Sequence, residues 1–163
     1  MRSSKLRWIV FALFLTPYFK MQAQNNSETN KAKPLKELIE SKQYRFHPLS
    51  ANTAKGKTIQ LTSEYFLMVN QDSLQVDLPY FGRAYNADYG SGDQGFQFKS
   101  VDFSYTSDTT KKGGWEITII PKNESKASKI FMSIGSGGYG TINVLSNSKQ
   151  SISYYGTIEP ISK

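Results

Sequence analysis

From Tyr44 to the end of the chain, apolar residues recur at every second position in short runs separated by turn residues, and this alternation constrains the fold more tightly than anything else in the sequence. Tyr65, Leu67 and Val69 share one side of an extended segment. After Asn70-Gln71-Asp72-Ser73 the pattern resumes at Leu74, Val76 and Leu78, with Gln75 and Asp77 between them. Successive side chains of a strand point to opposite faces, so these two runs read as a hairpin. Phe96 and Phe98, then Val101, Phe103 and Tyr105, form two further runs, and Lys111-Lys112-Gly113-Gly114 turns the chain into Trp115, Ile117 and Ile119. Ile130, Met132 and Ile134, then Ile142 and Val144, then Ile152, Tyr154 and Ile158 complete the series. Strands with one wet and one dry face do not belong to a parallel sheet covered on both sides. The pattern predicts a mainly β domain, an antiparallel barrel of about eight to ten strands, with a two-sheet sandwich as the alternative; closure favours the barrel because it removes exposed edges.

One segment breaks the period of two. Leu35, Leu38 and Ile39 recur at offsets of three and four, and Pro34 suits a first helical turn, so Pro34 to Gln43 is predicted as one short N-terminal helix lying on the β structure. Ahead of it, residues 24–33 are polar apart from Ala32 and read as a flexible leader. At the start, Arg2, Lys5 and Arg7 precede an apolar run from Trp8 to Phe19, followed by Ala23. This is the layout of a secretory signal peptide, and the run of about 12 residues is well short of the roughly 20 needed for a membrane-spanning helix. The sequence is therefore read as a signal peptide over 1–23, a leader over 24–33 and a single β domain over 34–163, exported to the periplasm or beyond, with no membrane span after cleavage.

Charge then matters less than it first suggests. The whole chain carries 20 Lys+Arg and 13 Asp+Glu, a formal +7, but Arg2, Lys5, Arg7 and Lys20 lie in the signal, which leaves 16 cations against 13 acids, or +3. Nucleic-acid binding rewards a concentrated basic footprint, and this charge is interspersed. Lys31, Lys33, Lys36, Lys42, Arg45, Lys55 and Lys57 do crowd together, but Glu28, Glu37 and Glu40 dilute them, and the cluster reads as a solvated face with no assigned partner.

The stretch from Pro79 to Gly95 is far longer than a hairpin needs, and long connections usually have a reason. It holds Tyr80, Phe81, Tyr85 and Tyr89 with a single cation, Arg83. That composition can stack on a flat or sugar-like ligand while a guanidinium grips an anion, so these five are the candidate ligand-binding residues. The same residues also suit a plug for a barrel mouth, with Arg83 forked onto a backbone carbonyl or a carboxylate such as Asp88.

Other chemistries find little footing. The absence of cysteine excludes thiolate nucleophiles, disulfides and zinc ribbons. Gly90 to Gly95 and Gly135 to Gly140 satisfy dinucleotide glycine spacing, but strands follow both where the mechanism needs a helix, so both are read as hairpin turns. His47, the only imidazole, precedes Pro48 at the start of a strand and reads as structural. Asn86, Asp88 and Asp93 lack the spacing of a calcium loop. No residue is assigned a catalytic, metal-binding or cofactor-binding role. A carboxylate-dependent hydrolase survives only because 13 scattered acids bring some pair together by chance.

Three segments carry a resemblance: Gly56-Lys57-Thr58-Ile59-Gln60-Leu61-Thr62, then Leu78-Pro79-Tyr80-Phe81-Gly82-Arg83-Ala84-Tyr85, and Ser151-Ile152-Ser153-Tyr154-Tyr155-Gly156-Thr157-Ile158. Over about Pro34 to Ile161 the chain resembles the bacterial secreted proteins known as domain of unknown function 4251, found mainly in Bacteroides-like organisms. The resemblance implies a signal peptide and a compact, largely β domain, and implies no activity. Asp72-Ser73-Leu74 and Asp108-Thr109-Thr110 are also similar to acceptor triplets for bacterial O-glycosylation, which makes Ser73 and Thr109 candidate modified residues at turns. The expected function is a non-enzymatic binding module for a small apolar or glycan-like ligand. A structural or protein-interaction module of the cell envelope is the alternative.

Overall fold

The computed structural model describes residues 34–85, 95–122 and 126–161. Helix α1 spans Leu35–Glu40 and is shorter than its periodicity predicts. Lys42 adopts a left-handed conformation, φ 52°, and its carbonyl accepts the Gln71 amide at 2.8 Å, so the chain turns early and Gln43 already pairs with Asn70. The predicted stripe is otherwise present, with Leu38 and Ile39 buried and Leu35 half-buried against the core.

Ten strands follow: β1 Gln43–Thr53, β2 Thr58–Gln60, β3 Phe66–Asn70, β4 Ser73–Leu78, β5 Phe96–Ser100, β6 Phe103–Thr109, β7 Trp115–Pro121, β8 Lys129–Ile134, β9 Tyr139–Leu145 and β10 Ile152–Pro160. Nine of them form one antiparallel ribbon in the order β5, β4, β3, β1, β10, β9, β8, β7, β6, and β2 adds to the far half of β1. The ribbon curls into a nearly closed barrel, the arrangement favoured by the removal of exposed edges, and not into the alternative two-sheet sandwich.

Closure has a simple origin. Eight antiparallel steps separate β5 from β6, so the two run in the same direction, and only Val101 and Asp102 lie between them in the chain. They act as one bent strand whose first half pairs with β4 and whose second half pairs with β7. The bend is pinned by Ser100, whose Oγ donates to the Asp102 carbonyl at 3.0 Å, and by Lys122, whose amide donates to the same carbonyl at 2.8 Å. Val101 sits in this bend, 76% exposed, and not on the inner face beside Phe103 where its spacing predicts. Lys126 Nζ reaches the Gln97 carbonyl at 2.6 Å, across the seam.

Burial follows the predicted alternation. Leu67 and Val69 of β3 face inward with Leu74, Val76 and Leu78 of β4, and Asn70 pairs with Ser73 to close their two-residue turn. Large side chains occupy the interior: Tyr44, Phe46, Phe96 and Tyr154 are wholly buried among the aliphatic residues of β7 to β10. Tyr44 crosses the interior from β1, its hydroxyl 3.3 Å from that of Tyr105 on β6 and 3.7 Å from Met132 Sδ on β8. Gly135 to Gly140 forms the β8–β9 turn, with the Gly135 amide donating to the Tyr139 carbonyl at 2.8 Å. Of the other glycine-rich stretch only Gly95 is described.

Candidate functional site at the barrel mouth

Strand directions place α1 at one end of the barrel and the described ends of the 79–95 connection, residues 79–85 and Gly95, at the other, beside the β1–β2 turn and the 146–151 connection. The first half of the long connection is a built structure. Pro79 offers its carbonyl to the Tyr154 hydroxyl at 2.6 Å, reached from inside the barrel. Tyr80 turns inward, is 8% exposed, and meets Phe96 edge to face, with ring centres 5.6 Å apart at 84°. Its hydroxyl donates to the Arg83 carbonyl at 2.8 Å and so closes a tight loop over Gly82. A side chain at Gly82 would run into the Tyr80 ring and hydroxyl, which explains why glycine stands there.

The loop is stapled to the neighbouring connection. Ala84 bridges to Lys149 in antiparallel fashion, the Tyr85 amide donates to the Ser148 carbonyl at 2.7 Å, and the Gln150 amide donates to the Arg83 carbonyl at 3.2 Å. Lys149 Nζ lies 4.8 Å from the Tyr80 ring centre and 5.5 Å from that of Phe96, and donates to the Gly95 carbonyl at 3.2 Å. The ammonium thus ties the two ends of the connection through both rings.

The five predicted binding residues therefore part company. Tyr80 is held in the core as a plug. Phe81, Arg83 and Tyr85 remain on the surface, Phe81 38% and Tyr85 64% exposed. Among the described residues the Arg83 guanidinium makes no hydrogen bond or ion pair, so the carbonyl fork predicted for a plug is not formed; the Arg83 contribution to the plug is its backbone oxygen. Tyr89 lies outside the described residues, as do Asn86, Asp88 and Asp93.

Two grooves meet at Phe81. One, of about 500 Å³, is lined by Tyr65, Asp77, Pro79, Tyr80, Phe81, Gly95 and Gln97, and within it Gln97 Nε2 donates to Asp77 Oδ1 at 2.9 Å. The other, of about 400 Å³, runs between the loop and the β1–β2 turn. Phe81 and Ile59 supply apolar surface there, Gln150 and Thr53 line it, and Lys55, Lys57 and Arg83 bring three cations with no acid among the described lining residues. Tyr85 lines neither. Sequence reasoning places Lys55 and Lys57 in a solvated basic face with no partner and passes over Lys149, because these residues meet Arg83 and Tyr80 only through pairing between distant strands.

Three hydroxyls are displaced in their ionisation. Burial pushes Tyr44 well above the ordinary tyrosine range, reinforced by the neighbouring Tyr105. Burial also raises Tyr105, although hydrogen bonds from Tyr44 and Ser107 draw it back in part. Tyr154 is raised by burial first and by Tyr80 second. All three are neutral hydrogen-bonding groups of the core at physiological pH.

Elsewhere, His47 is half-buried on β1 opposite Thr157 of β10. Ser73 is half-buried at the start of β4, and Thr109 is exposed at the end of β6. Among the described residues no group of three or more His, Asp or Glu could hold a metal ion, and no helix is long and apolar enough to cross a membrane.

An antiparallel barrel with an aromatic plug and grooves at its mouth is thus the class of protein defined by fold and site. The sequence profile of the domain of unknown function DUF4251 matches residues 26–158, and the chain belongs to that family. A crystal structure of a DUF4251 family protein from Bacteroides eggerthii is similar in fold, with a TM-score of 0.55 at 20% identity, over 75% of this chain and 82% of that one. No curated protein matches the sequence.

Proposed function

We propose that this protein is an exported, non-enzymatic binding module that takes a small apolar or glycan-like ligand at the barrel mouth, against Phe81. The observation that carries this reading is the division of labour within one short segment. Tyr80, Gly82 and the Arg83 carbonyl are committed to anchoring it, while the Phe81 ring and the Arg83 side chain are presented beside grooves of about 400 and 500 Å³. Pockets of this size suit small molecules, and a rigid frame lowers the entropy cost of binding. The wholly buried aromatics occupy the interior, so the ligand belongs at the mouth. The signal-like segment over 1–23 supports export.

The test is a thermal-shift screen of the purified protein against sugars and short fatty acids, repeated with Phe81→Ala. A ligand that raises Tm for the parent protein and not for Phe81→Ala supports the reading; equal shifts in both would overturn it. The alternative, a protein-interaction module of the cell envelope, draws on a different face. Tyr139 and Tyr155 stack on the outer wall at 6.1 Å and 12°, with 54% and 43% of their surfaces exposed. A screen with no small-molecule response, together with self-association or envelope-protein binding lost on Tyr155→Ser, would favour that reading.

A further inference from the structure

We infer that the ligand of the mouth is a small organic anion, its carboxylate or phosphate held by Arg83, Lys55 and Lys57 and its body laid on Phe81 and Ile59. The inference rests on reading the mouth as a binding site and specifies which groove is used and what chemistry enters it. Three cations from two separate segments line one groove of about 400 Å³, and among the described residues no Asp or Glu lines it. None of the three makes an ion pair among the described residues. Like charges gathered without a counter-charge repel one another, and a bound anion relieves that cost.

The frame holding these cations is fixed, which separates this groove from an ordinary basic surface. Arg83 is anchored through its own carbonyl by Tyr80 and Gln150, so its position is set while its guanidinium is left to project. The β1–β2 turn is closed by Thr53: its Oγ1 accepts the Lys57 amide at 3.1 Å and its amide donates to the Lys57 carbonyl at 2.9 Å. Gly56, at φ 79°, makes the turn between Lys55 and Lys57. A planar guanidinium presents paired donors to a carboxylate or phosphate, and two ammonium groups add charge without imposing geometry. The other groove contains Asp77 and none of the three cations, so the two grooves differ in the charge they accept.

Isothermal titration of the purified protein with glucuronate, glucose 6-phosphate, decanoate and glucose tests this. At least one of the three anions should bind, more tightly than glucose by roughly tenfold or more, and binding should weaken as salt is raised. Arg83→Ala, and separately Lys55→Gln with Lys57→Gln, should each weaken it by about tenfold with little change in Tm, since none of the three side chains anchors the fold. The anions separate the two head groups: glucuronate and decanoate carry a carboxylate, glucose 6-phosphate a phosphate. Binding of glucose as tightly as its charged derivatives, lost in Phe81→Ala but kept in Arg83→Ala, would overturn the anion while leaving the mouth as the site. Anion binding indifferent to both Phe81→Ala and Arg83→Ala would overturn both readings. No heat from any probe up to roughly 10 mM would overturn the anion, because three cations lining one groove should exceed so small a free energy.

Discussion

At the scale of single residues, the barrel mouth depends on polar atoms buried at the edge of the core. The Tyr154 hydroxyl, on the inner wall of β10, donates to the Pro79 carbonyl at 2.6 Å and so ties the start of the long connection to the barrel. Tyr154→Phe removes the donor and leaves this part-buried carbonyl without it, so it should cost about 1 kcal/mol in chemical denaturation without altering the fold. The displaced tyrosines also contribute to stability at alkaline pH. Their pKa values are raised in the folded state, so above the unfolded value of about 10 the unfolded chain releases protons that the native one keeps. Stability from these groups is complete below about pH 10 and falls as pH rises further. Tyr154→Phe and Tyr44→Phe should each flatten that alkaline fall relative to the parent protein; an unchanged slope would show that neither hydroxyl governs it. Gly156 marks a second close approach: a side chain there would strike the His47 carbonyl, where β1 bulges between Pro48 and Ser50. Proline has no amide hydrogen for the ladder, so a bulge at this point fits its chemistry.

Among the elements, the 79–95 connection is held by Lys149, whose position in a serine-rich stretch gives no hint of that role. Lys149→Met keeps most of the volume but removes the charge over Tyr80 and Phe96 and the bond to Gly95. A loss of about 1 kcal/mol is expected, with faster hydrogen exchange at the Tyr85 and Gln150 amides while those of β8 and β9 are unchanged. Strand identity was legible where alternation was clean, as in the β3–β4 hairpin. It was not legible in β2, where Thr58–Gln60 carries one apolar residue, Ile59, and pairs only because β1 runs on past its partnership with β3. The helix stripe is legible in the spacing of Leu35, Leu38 and Ile39, but its end is set by the left-handed Lys42, which helical periodicity does not register. Within the site, the aromatic loop was visible from its length and composition. That Tyr80 would be buried and Phe81 exposed follows only from the packing of Tyr80 on Phe96.

For the whole molecule, closure through one bent strand couples both ends of the ribbon, since β4 and β7 each depend on a different half of residues 96–109. Fluorescence of Trp115, at the start of β7, and far-ultraviolet circular dichroism should therefore follow a single coincident thermal transition; separated midpoints would show the two flanks unfolding independently. Alternation is a local property, written between each residue and the next but one, so the sequence by itself determined that these strands bury one face each, that the sheet is antiparallel and that the long connection is exceptional. Which strands become neighbours depends on register between residues far apart in the chain and on the curl of the ribbon. Those nonlocal terms, decided only in the tertiary structure, bent β5 into β6, filled the interior with tyrosine and phenylalanine, and brought Lys55 and Lys57 to the same groove as Arg83.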